Sequence, residues 1–149
     1  MSSDVAPAEP RDTEPRDARP RDTAGSGDAP ADELTGRLRR TVLQRSASSV
    51  PGREIVQVLT EIPVGVASGW HVHPGEEVGF IVAGTVRMEI ADRPTLLLNA
   101  GDPFLIPPRV PHNALDLGPG TGRMLSTYFV EVGEPLSAFV DHHGEGDEP

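Results

Sequence analysis

Cysteine is absent from the 149 residues, which excludes disulfides and thiolate metal sites and leaves the redox compartment open. No apolar run approaches the roughly 20 residues that a membrane span needs. The first thirty residues also lack the apolar centre of a signal peptide, and by default this predicts a cytoplasmic protein with no membrane partner. Nothing in the pattern supports a helix of three turns. The formal charge of −10 is unevenly placed. Residues 1–33 carry nine acids and four arginines, residues 141–149 carry four acids, and residues 34–140 are close to neutral with nine arginines and ten acids. No basic stripe remains to bind nucleic acid. Apart from Met1 and Val5, residues 1–33 hold no large apolar side chain, and a Pro-Arg-Asp unit recurs at Pro10, Pro15 and Pro20. Such a segment has no burial to offset its ordering entropy. The expected organisation is a disordered tail over 1–33, one folded domain over 34–140 and an acidic tail over 141–149.

What the sequence does hold is a compact set of metal-binding side chains. The stretch Gly65 to Gly84 contains His71, His73 and Glu77. In an extended strand the side-chain period is two, so His71 and His73 point to one face. Pro74 and Gly75 break the strand, and Glu77 opens the next apolar run. Two imidazoles and a carboxylate can therefore meet across a strand-turn-strand corner. His112 follows on an extended loop stiffened by Pro107, Pro108 and Pro111. The alternative, three surface histidines near a glutamate by chance, fits poorly with so regular a spacing in a chain of five histidines. The donor set suits one divalent transition metal (Fe, Mn, Ni, Co or Zn) better than Ca or Mg.

Taken in order, the rest reads as short strands. Arg40 to Gln44 is β-prone, and Glu54 to Ile62 is apolar on both faces, as if covered on both sides. If His71 and His73 face inward, Ala67 and Gly69 do too, which predicts open space beside the metal, with Val66, Ser68, Trp70 and Val72 outward. On the next strand Glu77, Gly79 and Ile81 oppose Val78, Phe80 and Val82. Thr85 to Ile90 puts Val86, Met88 and Ile90 on one face, and Thr95 to Leu98 returns as a hairpin. Pro103 to Ile106 and His112 to Leu117 are strands, Gly118 to Gly122 a turn, and Arg123 to Val132 the last long strand. Leu136 to Val140 reads as one helical turn. His142 and His143 read as solvated. The whole is all-β, a sandwich or barrel.

The two histidine-bearing stretches resemble the motifs of the cupin superfamily. Gly65, His71, His73, Glu77 and Gly84 fit the first motif without a mismatch. Gly101, Pro107 and His112 fit the second, which has Gly where this chain has Arg109 and Asn where it has Asp116. The chain looks closest to small single-domain bacterial cupins of the quercetin-dioxygenase-like group. The resemblance implies a small jelly-roll (double-stranded β-helix) barrel with His71, His73, Glu77 and His112 as metal ligands. It implies a metal-dependent dioxygenase acting on an oxygen-bearing small organic substrate. A metal-dependent isomerase, cyclase or lyase, and a non-catalytic small-ligand-binding cupin, are the alternatives; a storage protein needs no intact metal site. Tyr128, Asp116, Arg109 and Asn113 are the candidates for acid–base work, Tyr128 first. Apolar strand faces beyond what one small core can cover predict a homodimer.

Overall fold

The computed structural model describes residues 31–142, so the expectations for residues 1–30 and 143–149 lie outside the described residues. Eight strands form one curled sheet: β1 (Arg39–Ala47), β2 (Arg53–Ile62), β3 (His71–Val72), β4 (Gly75–Ile90), β5 (Leu96–Asn99), β6 (Pro103–Ile106), β7 (His112–Glu131) and β8 (Ala138–Phe139). A short 3-10 turn, Glu33–Gly36, precedes β1. This is the jelly-roll architecture expected from the sequence. All pairings are antiparallel, and two long strands organise them. β7 pairs with β2 and β4 along most of its length and with β3 through His71↔His112.

Alternation decides what lies inside. Along β2, Val56, Val58, Thr60 and Ile62 are buried, whereas Ile55 on the other face is exposed, so this strand is covered on one side only within the chain. On β4 the inward set is Glu77, Gly79, Ile81, Val86, Met88 and Ile90, and Val78, Phe80 and Val82 face outward. Gly79 must lack a side chain because the Phe104 ring lies where its Cβ would be. On β7 the buried face carries Met124, Ser126, Tyr128 and Val130. One apolar cluster centres on Ile62, Ile81, Val86 and Met88; a second joins Val56, Val58, Tyr128, Val130 and Leu136. Each fully buried aliphatic side chain contributes about 1.5–3 kcal/mol.

Four expectations change. Gly118 to Gly122 is not a separate turn: β7 runs through it, and the pairing with β4 absorbs the irregularity as register shifts between Ile81 and Val86. Leu136 to Val140 is not helical, because β8 pairs with β3 as an extended edge segment. His142 stacks on Trp70, with ring centroids 4.1 Å apart. Asp32 and Glu33, assigned by sequence to the tail, contact the folded part: Asp32 caps Leu34 and binds Arg40, and Glu33 accepts a hydrogen bond from the Phe139 amide.

Candidate metal centre

The regular strand that delivers the first two histidines is only two residues long, His71–Val72. Before it the chain is irregular, and Gly69 has φ +91°, a left-handed conformation open to glycine. That residue shifts the alternation by one. Ser68 is fully buried and Val66 packs on the core, so both point inward, contrary to the parity expected from an unbroken strand. After Gly69 the inward positions are His71 and His73, as expected. The open space predicted beside Gly69 is filled, since a Cβ there would lie 3.1 Å from the Phe139 ring and 3.2 Å from the Arg37 guanidinium.

Glu77 enters from β4 and His112 from the start of β7. His71, His73 and His112 bring their donor atoms within 4.8 Å of one another, and all three are buried. Each ring is held by a carbonyl oxygen. Nδ1 of His71 donates to Gly69 O (2.6 Å), that of His73 to Leu136 O (2.8 Å) and that of His112 to Val110 O (2.9 Å). A carbonyl can only accept, so the proton of each neutral ring sits on Nδ1 and the Nε2 lone pair is left bare. Arg109, at the motif's glycine position, takes φ +61° and donates its amide to His73 O at 3.0 Å. Its guanidinium bonds Glu131 and Glu134 at the surface, away from acid–base work.

Burial pushes the His71 imidazole well below its ordinary 6.5, with His112 and His73 adding to the effect. Burial also lowers His73, against the pull of Glu77. For Glu77 burial works upward, but once His73 or His112 takes up a second proton, the attraction of His73 and hydrogen bonding with His112 and His73 hold its carboxyl well below the usual range. Its Oε2 accepts from Ser126 Oγ (2.7 Å) and Tyr128 OH (3.2 Å), which favours the anion further.

The result is a knot of acceptors. Nε2 of His73 and Nε2 of His112 are 3.1 Å apart, and Glu77 Oε1 is 3.0 Å from the first and 3.2 Å from the second. One proton can relieve one of these pairs but not all three. A cation relieves all of them at once. Neighbouring donors on an ion at about 2.0–2.2 Å are spaced about 3 Å apart, so the residues present fit a divalent metal.

Of the other candidates, Tyr128 lies at the site, whereas Asn113 binds Glu89 and the Gly69 amide and Asp116 lies further along β7. Sequence reasoning missed Ser126 and Arg40. Ser126 shares the parity of Tyr128 on the last strand, which is the signal that could have found it. Arg40 carries no such signal. Its side chain is buried, donating to Tyr128 OH (3.0 Å), Thr60 Oγ1 (2.8 Å), Ser137 Oγ (3.1 Å) and Asp32 (2.7 Å). Arg40, Tyr128, Glu77, His71 and His112 all border one small cavity of about 10 Å³.

Comparisons bear on fold and family. A protein with a double-stranded β-helix domain from Klebsiella pneumoniae superposes with TM-score 0.59 at 18% identity, covering 83% of this chain and all of that one. A conserved protein of unknown function from Streptococcus pyogenes gives 0.51 at 18% identity, over 63% and 75% of the two chains. Oxalate decarboxylase from Bacillus subtilis, studied for its Mn(II) centres, gives 0.52 at 21% identity; the match covers 58% of this chain but only 24% of that enzyme. No curated protein matches. At these identities the likeness is one of fold. Residues 58–128 match the family model described as Cupin domain. Over residues 58–128, then, this chain is similar to the cupin family, and the double-stranded β-helix relatives share its fold.

Proposed function

We propose that this chain is a metal-dependent cupin enzyme that holds one divalent transition metal through His71, His73, Glu77 and His112. The observation that carries the proposal is the knot of three acceptor atoms at 3.0–3.2 Å with no donor among them. Within the possible chemistries we favour a dioxygenase acting on an oxygen-bearing small organic compound, as the resemblance to quercetin-dioxygenase-like cupins implies. A bound metal would supply Lewis acidity and, where redox-active, a place for O₂ beside the substrate. The chain's own part is to fix the donors. Carbonyls lock the three imidazole tautomers, and Ser126 and Tyr128 hold the far oxygen of Glu77 so that Oε1 faces the histidines. Leu34, Leu38, Met88, Ala114 and Met124 give the cavity an apolar lining beside the cluster.

The closure of that cavity favours a second reading, a non-catalytic metal- or ligand-binding cupin. Metal analysis of anaerobically purified protein, combined with O₂ uptake on diketones, catechols and flavonol-like compounds, separates the two. The enzyme reading expects one metal per chain, loss of it in the His71→Ala/His112→Ala variant, and uptake with at least one compound. Full metal content in the double variant overturns the ligand set. Metal without uptake or turnover gives the second reading the lead.

The outward set Val78, Phe80 and Val82 on β4, with Leu105 opposite Val78 on β6, leaves an apolar sheet face exposed. This supports a homodimer through that face: of the surface expected from strand parity (Val66, Trp70, Val72, Phe80 and Val82), Phe80 and Val82 belong to it, while Val66 packs on the core. Light scattering at micromolar concentration is expected to give a dimer that Phe80→Glu converts to a monomer.

A further inference from the structure

Arg40 stands out among the polar groups that the metal centre does not use. Its side chain is 2% exposed, and isolating a guanidinium from water is costly unless every donor finds a partner. Among the described residues its carboxylate partner is Asp32. Nε and Nη2 both donate to one oxygen, Oδ2, at 3.0 and 2.7 Å. The other oxygen, Oδ1, is taken by the Leu34 amide it caps. The fork of Arg40 is therefore satisfied by half a carboxylate. A free carboxylate can offer both oxygens in the parallel geometry that guanidinium groups favour.

Position gives this pairing a use. The Tyr128 hydroxyl accepts from Arg40 and donates to Glu77, so one hydroxyl separates the guanidinium from the histidine cluster. Both border the same cavity, which Leu34 and Leu38 also line. At about 10 Å³ it has room for one water and no organic molecule. Leu34, Leu38 and Asp32 belong to one short segment, a single 3-10 turn with its flanks. That segment is latched at its edges by the Glu33 amide on Ser137 O, the Phe139 amide on Glu33 and Arg37 on Ala67 O, and Leu38 anchors it in the core. A ligand that takes Asp32 off Arg40 would loosen the segment that carries two lining residues of the cavity.

We propose that Arg40 is the specificity-determining residue for a small carboxylic acid, and that residues Asp32–Leu38 form a lid whose Asp32 carboxylate holds the acid's place in the closed state. The acid binds Arg40 through its carboxylate and presents its other oxygen to the cluster. This rests on the reading of the cluster as a metal site.

Pyruvate is the probe and pyruvamide its neutral control, titrated calorimetrically into the full-length, metal-loaded protein. Asp32→Asn keeps the shape and the cap but removes the competing charge; it is expected to tighten pyruvate binding about tenfold. Arg40→Gln is expected to abolish pyruvate binding, Arg40→Lys to weaken it, and pyruvamide to respond to none of these. A second measurement needs no variant. Hydrogen exchange at the Leu34, Arg37 and Leu38 amides of the wild type should speed up with pyruvate and not with pyruvamide. Equal binding of the two compounds, or unchanged exchange at those amides, overturns the proposal. Metal content is determined on the same samples. A protein that loads metal but treats the two compounds alike sinks the lid and leaves the metal site standing. A protein that takes no metal, yet opens the lid to pyruvate through Arg40, does the reverse.

Discussion

Glu77 and Asp116 are both buried carboxylates on the inner face of the same barrel, and their surroundings differ in kind. Around Glu77 the chain has placed two hydroxyl donors on one oxygen and two bare imidazole nitrogens on the other. Around Asp116 it has placed glycines. Oδ1 accepts from the Gly118 amide, a Cβ at Gly84 or Gly122 would lie 3.2 or 2.9 Å from it, and Oδ2 has no hydrogen-bond partner among the described residues. One carboxylate is held as an anion that faces further acceptors, an arrangement that a bound cation would relieve. The other fills space at a barrel corner, where an amide would serve equally well. A buried acid becomes a candidate ligand through what its second oxygen meets, not through burial alone.

The comparison can be broken first with acid. His71 and His73 are held below 6.5 by burial, so the unfolded chain binds more protons than the folded one as pH falls through that value. Their contribution to stability is therefore complete above about pH 6.5 and is lost progressively below it, with Glu77 following at lower pH. Thermal melts of the metal-free protein are expected to show Tm falling steadily from pH 7 to pH 5. A flat profile would mean that the cluster is not buried in solution.

A smaller effect is expected from Ser126→Ala, which removes the shorter of the two hydrogen bonds to Glu77 Oε2. Outer supports of this kind change metal affinity by about 10–100-fold, and the lower end is expected because Tyr128 remains. Competition with a chelator of known affinity measures it. The smallest change belongs to the other corner. Asp116→Asn exchanges an unpartnered buried oxygen for an amide nitrogen that meets no acceptor among the described residues, so the two costs offset and Tm should change by no more than a few degrees. A large loss of Tm would show that the carboxylate has a role that the corner's packing does not explain.

Much of this was legible in the sequence because β-structure has a period of two. The inward set Glu77, Gly79 and Ile81 and the outward set Val78, Phe80 and Val82 follow from alternation, and the core face of β4 continues through Val86, Met88 and Ile90 as read. Alternation fails where the backbone leaves the extended region. Gly69 at φ +91° turned Val66 and Ser68 inward, and no count along the chain registers such a step. The long span of β7 was hidden for a related reason, since Gly118 to Gly122 has turn composition and is held in the sheet by pairing with β4 and β2. Arg40 was unreadable because its partners, Asp32, Thr60, Tyr128 and Ser137, are scattered along the chain and meet only in the folded barrel. Arg109 and Asp116 depart from the motif, and His112 nonetheless pairs with His71 across β3 and β7.

The register of β7 has a kinetic consequence. Its C-terminal half pairs with β2 through Arg53↔Glu131, so the barrel closes only when segments more than seventy residues apart in sequence come together. Closing a loop of that size costs about 4 kcal/mol of chain entropy before any of the pairing is gained. Sheets built from such distant partners fold in milliseconds to seconds rather than microseconds. His73 and His112 are 39 residues apart, and β4 already brings His112 in through Ile90, so the same entropy lets them meet before that closure. The arrival of the cluster would then serve as a clock for the step that precedes the closing of the barrel.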